Sequence, residues 1–146
     1  MKAVIQRVHQ ASVTIEKKEI ASIGTGFLVL LGIAKEDVEQ DVKASVEKIV
    51  KLRIMQDEKD KMNLSIKDVD GEVLVVSQFT LLADTTGGNR PSFIHAAPPD
   101  QAKRLYELFV KELKRLGVKK VVTGEFGAYM QVTLVNDGPV TIVMDE

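Results

Sequence analysis

Cysteine is absent from this chain of 146 residues. That excludes disulfides, thiolate nucleophiles and cysteine-based zinc sites together. Histidine is nearly absent: His9 and His95 stand far apart and lack the i, i+4 spacing of a metal pair, so no metal is expected. No apolar run approaches the roughly 18 residues a membrane span requires. Arg7 lies where a signal peptide would carry its apolar core, which makes a cytoplasmic protein the expectation. There is no excess of positive charge, the net charge being -1. A protein that grips nucleic acid by charge alone would be basic, so any nucleic-acid partner has to be held at a small local site. The one basic cluster, Lys111, Lys114, Arg115, Lys119 and Lys120, reads as a solvated helix face or as a patch that meets phosphate.

Familiar catalytic patterns are missing too. No G-x-S-x-G elbow occurs, and Gly24-Thr25-Gly26 lacks the further glycine and the Lys-Ser/Thr pair of a phosphate-binding loop. No cofactor is expected. What remains is a chain with 45% hydrophobic and 28% charged residues, long enough for one domain that buries roughly two-thirds of its unfolded surface.

Residues 3–15 alternate and are rich in Val, Ile and Thr, which predicts a long strand. Residues 20–23 are its expected partner. Residues 27–33 are apolar enough to be covered on both faces. Val38, Val42, Val46 and Ile49 recur at helical steps, and residues 56–61 form a charged loop. Residues 72–81 read as a central strand, followed by a flexible loop at 85–93. Pro98-Pro99-Asp100 opens a second helix with Ala102, Leu105, Phe109, Leu113 and Leu116 inward and Gly117 as its stop. Strands close the chain at 120–122, 129–135 and 140–144. The expected fold is α+β: one domain, a curled, barrel-like, mainly antiparallel or mixed sheet, and two amphipathic helices.

Two stretches carry chemistry. Val73-Leu74-Val75-Val76 runs into Ser77-Gln78-Phe79-Thr80-Leu81, which puts three polar side chains where a buried strand surfaces. Such groups are costly unless paired, so they mark either a satisfied strand end or a site. Thr80 has no base near it in sequence, and His95 could reach it only through the fold. Asn136-Asp137-Gly138-Pro139-Val140 reads as a tight hairpin between two short strands, in which a cis Gly138-Pro139 bond would display two carbonyls with no side chain on the glycine.

Together with Met1-Lys2-Ala3-Val4-Ile5-Gln6-Arg7-Val8, Gly88-Asn89-Arg90-Pro91-Ser92-Phe93 and Phe126-Gly127-Ala128, these stretches resemble the D-aminoacyl-tRNA deacylases over the whole chain. The resemblance implies a homodimer that hydrolyses the ester joining a D-amino acid, or glycine, to the 3′-terminal adenosine of tRNA. It implies that Ser77, Gln78, Phe79 and Thr80 line the adenosine and ester pocket. It implies further that Gly138 and Pro139 of one subunit enter the other's site as a Gly-cisPro motif and reject L-amino acids, with Arg7 steadying that loop. An aminoacyl ester is already activated. Positioning, plus oxyanion stabilisation by the backbone N–H groups of Phe79 and Thr80, would then suffice. Two other readings stand beside this one: a non-catalytic module for tRNA ends or metabolites, and a hydrolase with Thr80 as nucleophile.

Overall fold

A computed structural model describes residues 1–145. Eight strands and two helices follow one another as β1 (Lys2–Ile15), β2 (Lys18–Ile23), β3 (Gly26–Gly32), α1 (Glu39–Lys51), β4 (Met55–Gln56), β5 (Met62–Leu64), β6 (Glu72–Ser77), α2 (Pro99–Arg115), β7 (Val121–Thr123) and β8 (Gln131–Asp145). The long alternating N-terminal segment is the organiser. One edge of β1 pairs antiparallel with β8 along nearly its whole length. Its other edge is shared, first by β3 opposite residues 2–8 and then by β2 opposite residues 11–15. From β3 the sheet continues in parallel through β6 to β7. The sheet is thus mixed and curls into a nearly closed, barrel-like form.

Two cores lie on its two faces. Phe27, Val29 and Leu31 of β3 and Val73 and Val75 of β6 meet Val42, Val46 and Ile49 of α1 and Leu105, Phe109 and Leu113 of α2. The alternate residues Leu28, Leu74 and Val76 pack with Val8, Ala11 and Val13 inside the curl. β3 and β6 are therefore covered on both faces, as their unbroken apolar runs require. On β1, Ala3 and Ile5 face the helices and Val8 the inside of the curl, as alternation requires, but beyond Val8 it is the odd residues Ala11 and Val13 that face inside. His9 is an extra residue in the β1–β8 register, between the pairs Val8–Asn136 and Gln10–Val135, and such a bulge resets which face the later residues occupy.

Several sequence expectations shift. Val38 precedes α1 and is exposed, whereas its spacing had placed it on the buried face. The Asp41 carboxylate accepts the Val38 N–H at 2.8 Å, closing the helix start that valine has no side-chain acceptor to cap. Of residues 56–61, Gln56 belongs to β4 and residues 57–61 form the turn of a small β4–β5 ribbon. β6 stops at Ser77, because residues 79–82 fold into a single 3-10 turn, Phe79–Leu82. The largest correction concerns the end of the chain. The two closing strands expected at 129–135 and 140–144 are one continuous strand, β8, so Gly138-Pro139 is not a hairpin turn.

Tyr106 links α2 to the sheet. Its hydroxyl donates to the Val75 carbonyl at 3.0 Å in a buried position. Burial pushes this hydroxyl up to about 12, and a hydrogen bond with Thr123 offsets only part of that effect. A phenol whose acidity is weakened by folding contributes stability that is complete below its unfolded pKa and is lost as pH rises through the folded value. Urea unfolding should therefore show stability falling between pH about 10 and about 12, and Tyr106→Phe should flatten that decline.

Candidate active site

The 3-10 turn sits where it does because Gly32 lets it. A Cβ on Gly32 would come within 2.4 Å of Leu82 Cδ2, 3.0 Å of the Gln78 carbonyl and 3.2 Å of Leu81 Cβ. Only a residue without a side chain allows β3 and the turn to approach this closely. The Gln78 N–H donates to the Leu31 carbonyl at 2.8 Å, so the turn is hung from the end of β3. Leu81 N–H returns to the Gln78 carbonyl at 3.2 Å and Ala83 N–H to the Thr80 carbonyl at 3.1 Å. The N–H groups of Phe79 and Thr80 open the turn and have no acceptor within it. They form a pair of donors beside exposed side chains.

Gln78 Nε2 hydrogen-bonds Thr80 Oγ1. The Thr80 hydroxyl is therefore partnered by an amide rather than a base. The His95 carbonyl accepts from Lys35 N–H at 3.1 Å. Among the described residues no hydrogen bond joins His95 to Thr80. Phe79, half exposed, stands edge-on to Phe93 with ring centroids 5.0 Å apart. Phe93 was not singled out from the sequence as a site residue, because the loop that carries it shows only turn chemistry. Asp84 and Ser92 close that loop with reciprocal backbone bonds of 2.8 and 2.9 Å. Bonds from the Thr86 hydroxyl and amide, aided by the nearby His95, hold the Asp84 carboxyl below the usual carboxylate range.

A second constellation lies elsewhere on the sheet. Between the pairs Gln6–Thr141 and Val8–Asn136, β1 has one residue, Arg7, while β8 has the four residues 137–140. Gly138-Pro139, a cis bond, lies in this wide bulge. Arg7 is buried, with only 3% of its surface exposed, which rules out a strand-surface charge. Its guanidinium donates to the Ile54 carbonyl at 2.8 Å and the Asp137 carbonyl at 3.1 Å, and it pairs with the Asp137 carboxylate at 3.2 Å. The Asn136 amide donates to the Arg7 carbonyl at 2.8 Å and the Val140 carbonyl at 3.0 Å, tying the two ends of the bulge. This role of Asn136 escaped the sequence reading, which took the segment for a turn. Gly138 has φ +133, and a Cβ there would meet Val140 N at 2.9 Å and Arg7 Nη2 at 3.3 Å. An L side chain is strained at this backbone angle and has no space to occupy.

The two constellations do not meet within one chain. Ser77 is level with Leu31, and Leu31 with Ala3, whereas the bulge is level with Arg7. That is roughly 13 Å along the strands, with three strand spacings, about 14 Å, across them. The basic cluster is largely neutralised: Arg115 pairs with Glu112 at 2.7 Å, Lys119 with Asp70 at 3.0 Å and Lys120 with Glu72 at 2.8 Å. Among the described residues no group of three or more Asp, Glu or His could hold a metal ion. Among the described residues no helix is long and apolar enough to cross a membrane.

The family model described as D-Tyr-tRNA(Tyr) deacylase matches residues 4–145. The chain belongs to this deacylase family. Curated proteins called D-aminoacyl-tRNA deacylase are similar along their length. That of Thermosipho africanus is 57% identical over 99% of this chain and 97% of its own, and that of Thermotoga petrophila is 55% identical over the same shares. Among solved structures, one described as c-Myc DNA Unwinding Element Binding Protein superposes with TM-score 0.94 at 44% identity, covering 100% of this chain and 99% of its own. Another, described as a probable eukaryotic D-amino acid tRNA deacylase, has TM-score 0.85 at 16% identity and shares the fold.

Arg7→Ala should remove three interactions at once and cost at least about 1.5–3 kcal/mol, the range for a single hydrogen bond to a charged group. Arg7→Lys should recover little, since one ammonium lacks the fork that spans Ile54 and Asp137. Urea unfolding of both variants would measure this.

Proposed function

We propose that this member of the deacylase family hydrolyses the ester between a D-amino acid and the terminal adenosine of tRNA, in the cytoplasm and as a homodimer. One observation carries the reading. The turn at Phe79–Leu82 offers two backbone donors to an oxyanion, next to an amide–hydroxyl pair and without a side-chain base. That equipment is poor for an unactivated bond and adequate for an activated ester, where positioning and charge stabilisation provide the acceleration. In this reading Phe79 and Thr80 contribute N–H groups, and Ser77 and Gln78 bind the adenosine and ester. Water attacks the ester carbonyl, the alkoxide leaves on the ribose, and its vicinal 2′-OH is available to assist proton transfer.

Chiral selection is assigned to the bulge. Carbonyls around Gly138 and Pro139 would receive the α-ammonium and wall off one side of Cα. An L side chain would clash there, while a D side chain would point outward. Glycine would pass, so glycyl-tRNA is an expected substrate. Because the bulge lies far from the Phe79–Leu82 turn of its own chain, it has to serve the pocket of a second copy, as two-fold symmetry permits reciprocally. The anchoring of the bulge by Arg7 and Asn136 supports this assignment. The basic cluster, three of whose five members already pair with carboxylates, argues against a charge-driven nucleic-acid module.

Paired D- and L-esters of the same amino acid on tRNA test the reading. D-Tyr and D-Asp esters should both be cleaved while the L-esters survive, and an inactive protein would refute the deacylase function. Gly138→Ala should impair D-ester cleavage or admit L-esters; unchanged selectivity would remove the bulge from the mechanism. Thr80→Ala should retain measurable turnover, and an acyl-Thr80 ester trapped by mass spectrometry would install the nucleophile instead. Sedimentation at micromolar concentration should give about twice the mass of 16.1 kDa.

A further inference from the structure

The strands that carry the pocket also set the directions in which a polymer can leave it. β3, β6 and β7 run parallel, so Gly32, Ser77 and Thr123 end at the same side of the sheet. Ligands of parallel strands lie beyond their carboxyl ends. Two segments flank the Phe79–Leu82 turn there, residues 33–37 after β3 and residues 124–130 after β7. Their charges differ. Residues 124–130 contain one charged side chain, the exposed carboxylate of Glu125. Residues 33–37 turn outward at Lys35 and Glu36, both exposed. This turn is firmly held. The Asp37 N–H donates to the Ala34 carbonyl at 3.2 Å, Asp37 Oδ2 accepts the Ala34 N–H at 2.6 Å, and Gln101 Nε2 donates to the Lys35 and Asp37 carbonyls at 3.0 and 3.1 Å. Residues 95–97 run alongside it: Lys35 N–H donates to the His95 carbonyl at 3.1 Å and Ala97 N–H to the Ile33 carbonyl at 2.9 Å. His95 follows Phe93, whose ring meets Phe79. It lies near the Asp84 carboxylate, which Thr86 engages through its amide and hydroxyl. Among the described residues neither the Lys35 ammonium nor the His95 ring makes a hydrogen bond or an ion pair, whereas Lys119 and Lys120 are both paired.

We propose that Lys35, with the His95 ring beside it, contacts the phosphodiester that joins the terminal nucleoside to the rest of its RNA strand. The proposal rests on the deacylase reading, which puts that nucleoside in the pocket at the Phe79–Leu82 turn. Lys35 stands three residues beyond Gly32, on which the turn rests, or roughly 10 Å along an extended chain. One nucleotide and a lysine side chain span that distance. A phosphate leaving over residues 124–130 meets the Glu125 carboxylate. A phosphate leaving over residues 33–37 meets an ammonium with three unused donors and an imidazole with an N–H of its own. Glu36 shares the turn, so the field at a distance is weak and the attraction acts at contact. That suits a chain of net charge -1, which has to hold nucleic acid at a small local site. α2 begins beside this turn and carries Lys114 roughly 20 Å further along its axis, too far to reach the same phosphate. The contact binds the RNA without touching the ester, so its loss weakens binding and spares the chemical step.

The test compares two substrates, D-tyrosyl-tRNA and the D-tyrosyl ester of adenosine, which carries no phosphate. In Lys35→Gln, KM for the tRNA ester should rise about fivefold with kcat changed by less than about twofold, while both constants for the adenosine ester stay the same. Lys35→Arg should restore the tRNA KM, and His95→Ala should raise it by about twofold. The slope of log(kcat/KM) against log salt for the tRNA ester should become shallower by about 0.7 in Lys35→Gln, the amount for one phosphate contact on a single strand. Lys114→Gln should leave all of these values unchanged. Equal changes in KM for the two substrates would mean a deformed pocket and would overturn the proposal, as would an unchanged KM and salt slope for the tRNA ester in Lys35→Gln. An equal loss in Lys114→Gln would overturn it too, since a general field and not a contact would then be at work. Should the unmodified chain cleave neither D-ester, the deacylase reading falls. Binding of uncharged tRNA then decides the contact: Lys35→Gln should flatten its salt dependence by the same amount, and an unchanged slope would refute it.

Discussion

A guanidinium buried among strands has to be surrounded by oxygens, and that requirement at Arg7 shapes the rest of the molecule. Its donors reach the Ile54 carbonyl in the segment between α1 and β4, and the Asp137 carbonyl and carboxylate in β8. Regular pairing of β8 against β1 would offer one opposed residue, whose carbonyl would be spent on the ladder. The four-residue bulge frees a carbonyl for the guanidinium while the Asn136 amide takes the Arg7 carbonyl in return. Side chain and main chain of one residue thus hold both ends of a break in the ladder. Burying a charge this way is tolerable only with the full set of partners, so the bulge and the arginine require each other.

The Phe79–Leu82 constellation is held differently. The turn exists because a glycine admits it to the end of β3, and it leaves over the backbone donors that any short helical turn does. The aromatic pair Phe79–Phe93 then defines a wall by shape. Rigidity at one constellation comes from paired charge and at the other from close backbone packing. Both keep backbone groups at fixed positions, as the proposed positioning mechanism requires.

How much of this was legible in the sequence depends on the range of the interactions. The apolar runs at 27–33 and 73–76, the helical spacing of Leu105, Phe109 and Leu113, and the long β1 were readable because burial on a strand or helix imposes a period. Val38 was misplaced because spacing cannot tell the last residue before a helix from its first turn. The strand expected to run to Leu81 stops at Ser77, since nothing local announces that Gly32, forty-five positions earlier, opens a space for the turn. Gly138-Pro139 was read as a hairpin for the same reason. Glycine and proline announce a departure from regular pairing, but whether the chain reverses or only bulges depends on β1. The candidate site residues stand out as motifs. Their partners Asn136 and Phe93 do not, because their roles consist of contacts across long sequence separations.

Placing the two constellations on one curled sheet has a geometric consequence. They sit on strands whose register is locked by the shared neighbour β1, through Ala3–Leu31 toward Ser77 and through the pairs flanking Arg7 toward Gly138. No loop motion can bring them together without breaking ladder pairs on both sides of β1. If both act on one substrate, as proposed, the junction has to form between molecules, and a two-fold arrangement supplies it twice over from one pair of surfaces. Under that proposal the separation within the chain, fixed by the same hydrogen bonds that make the fold, would leave the pocket complete only where a second copy brings its bulge.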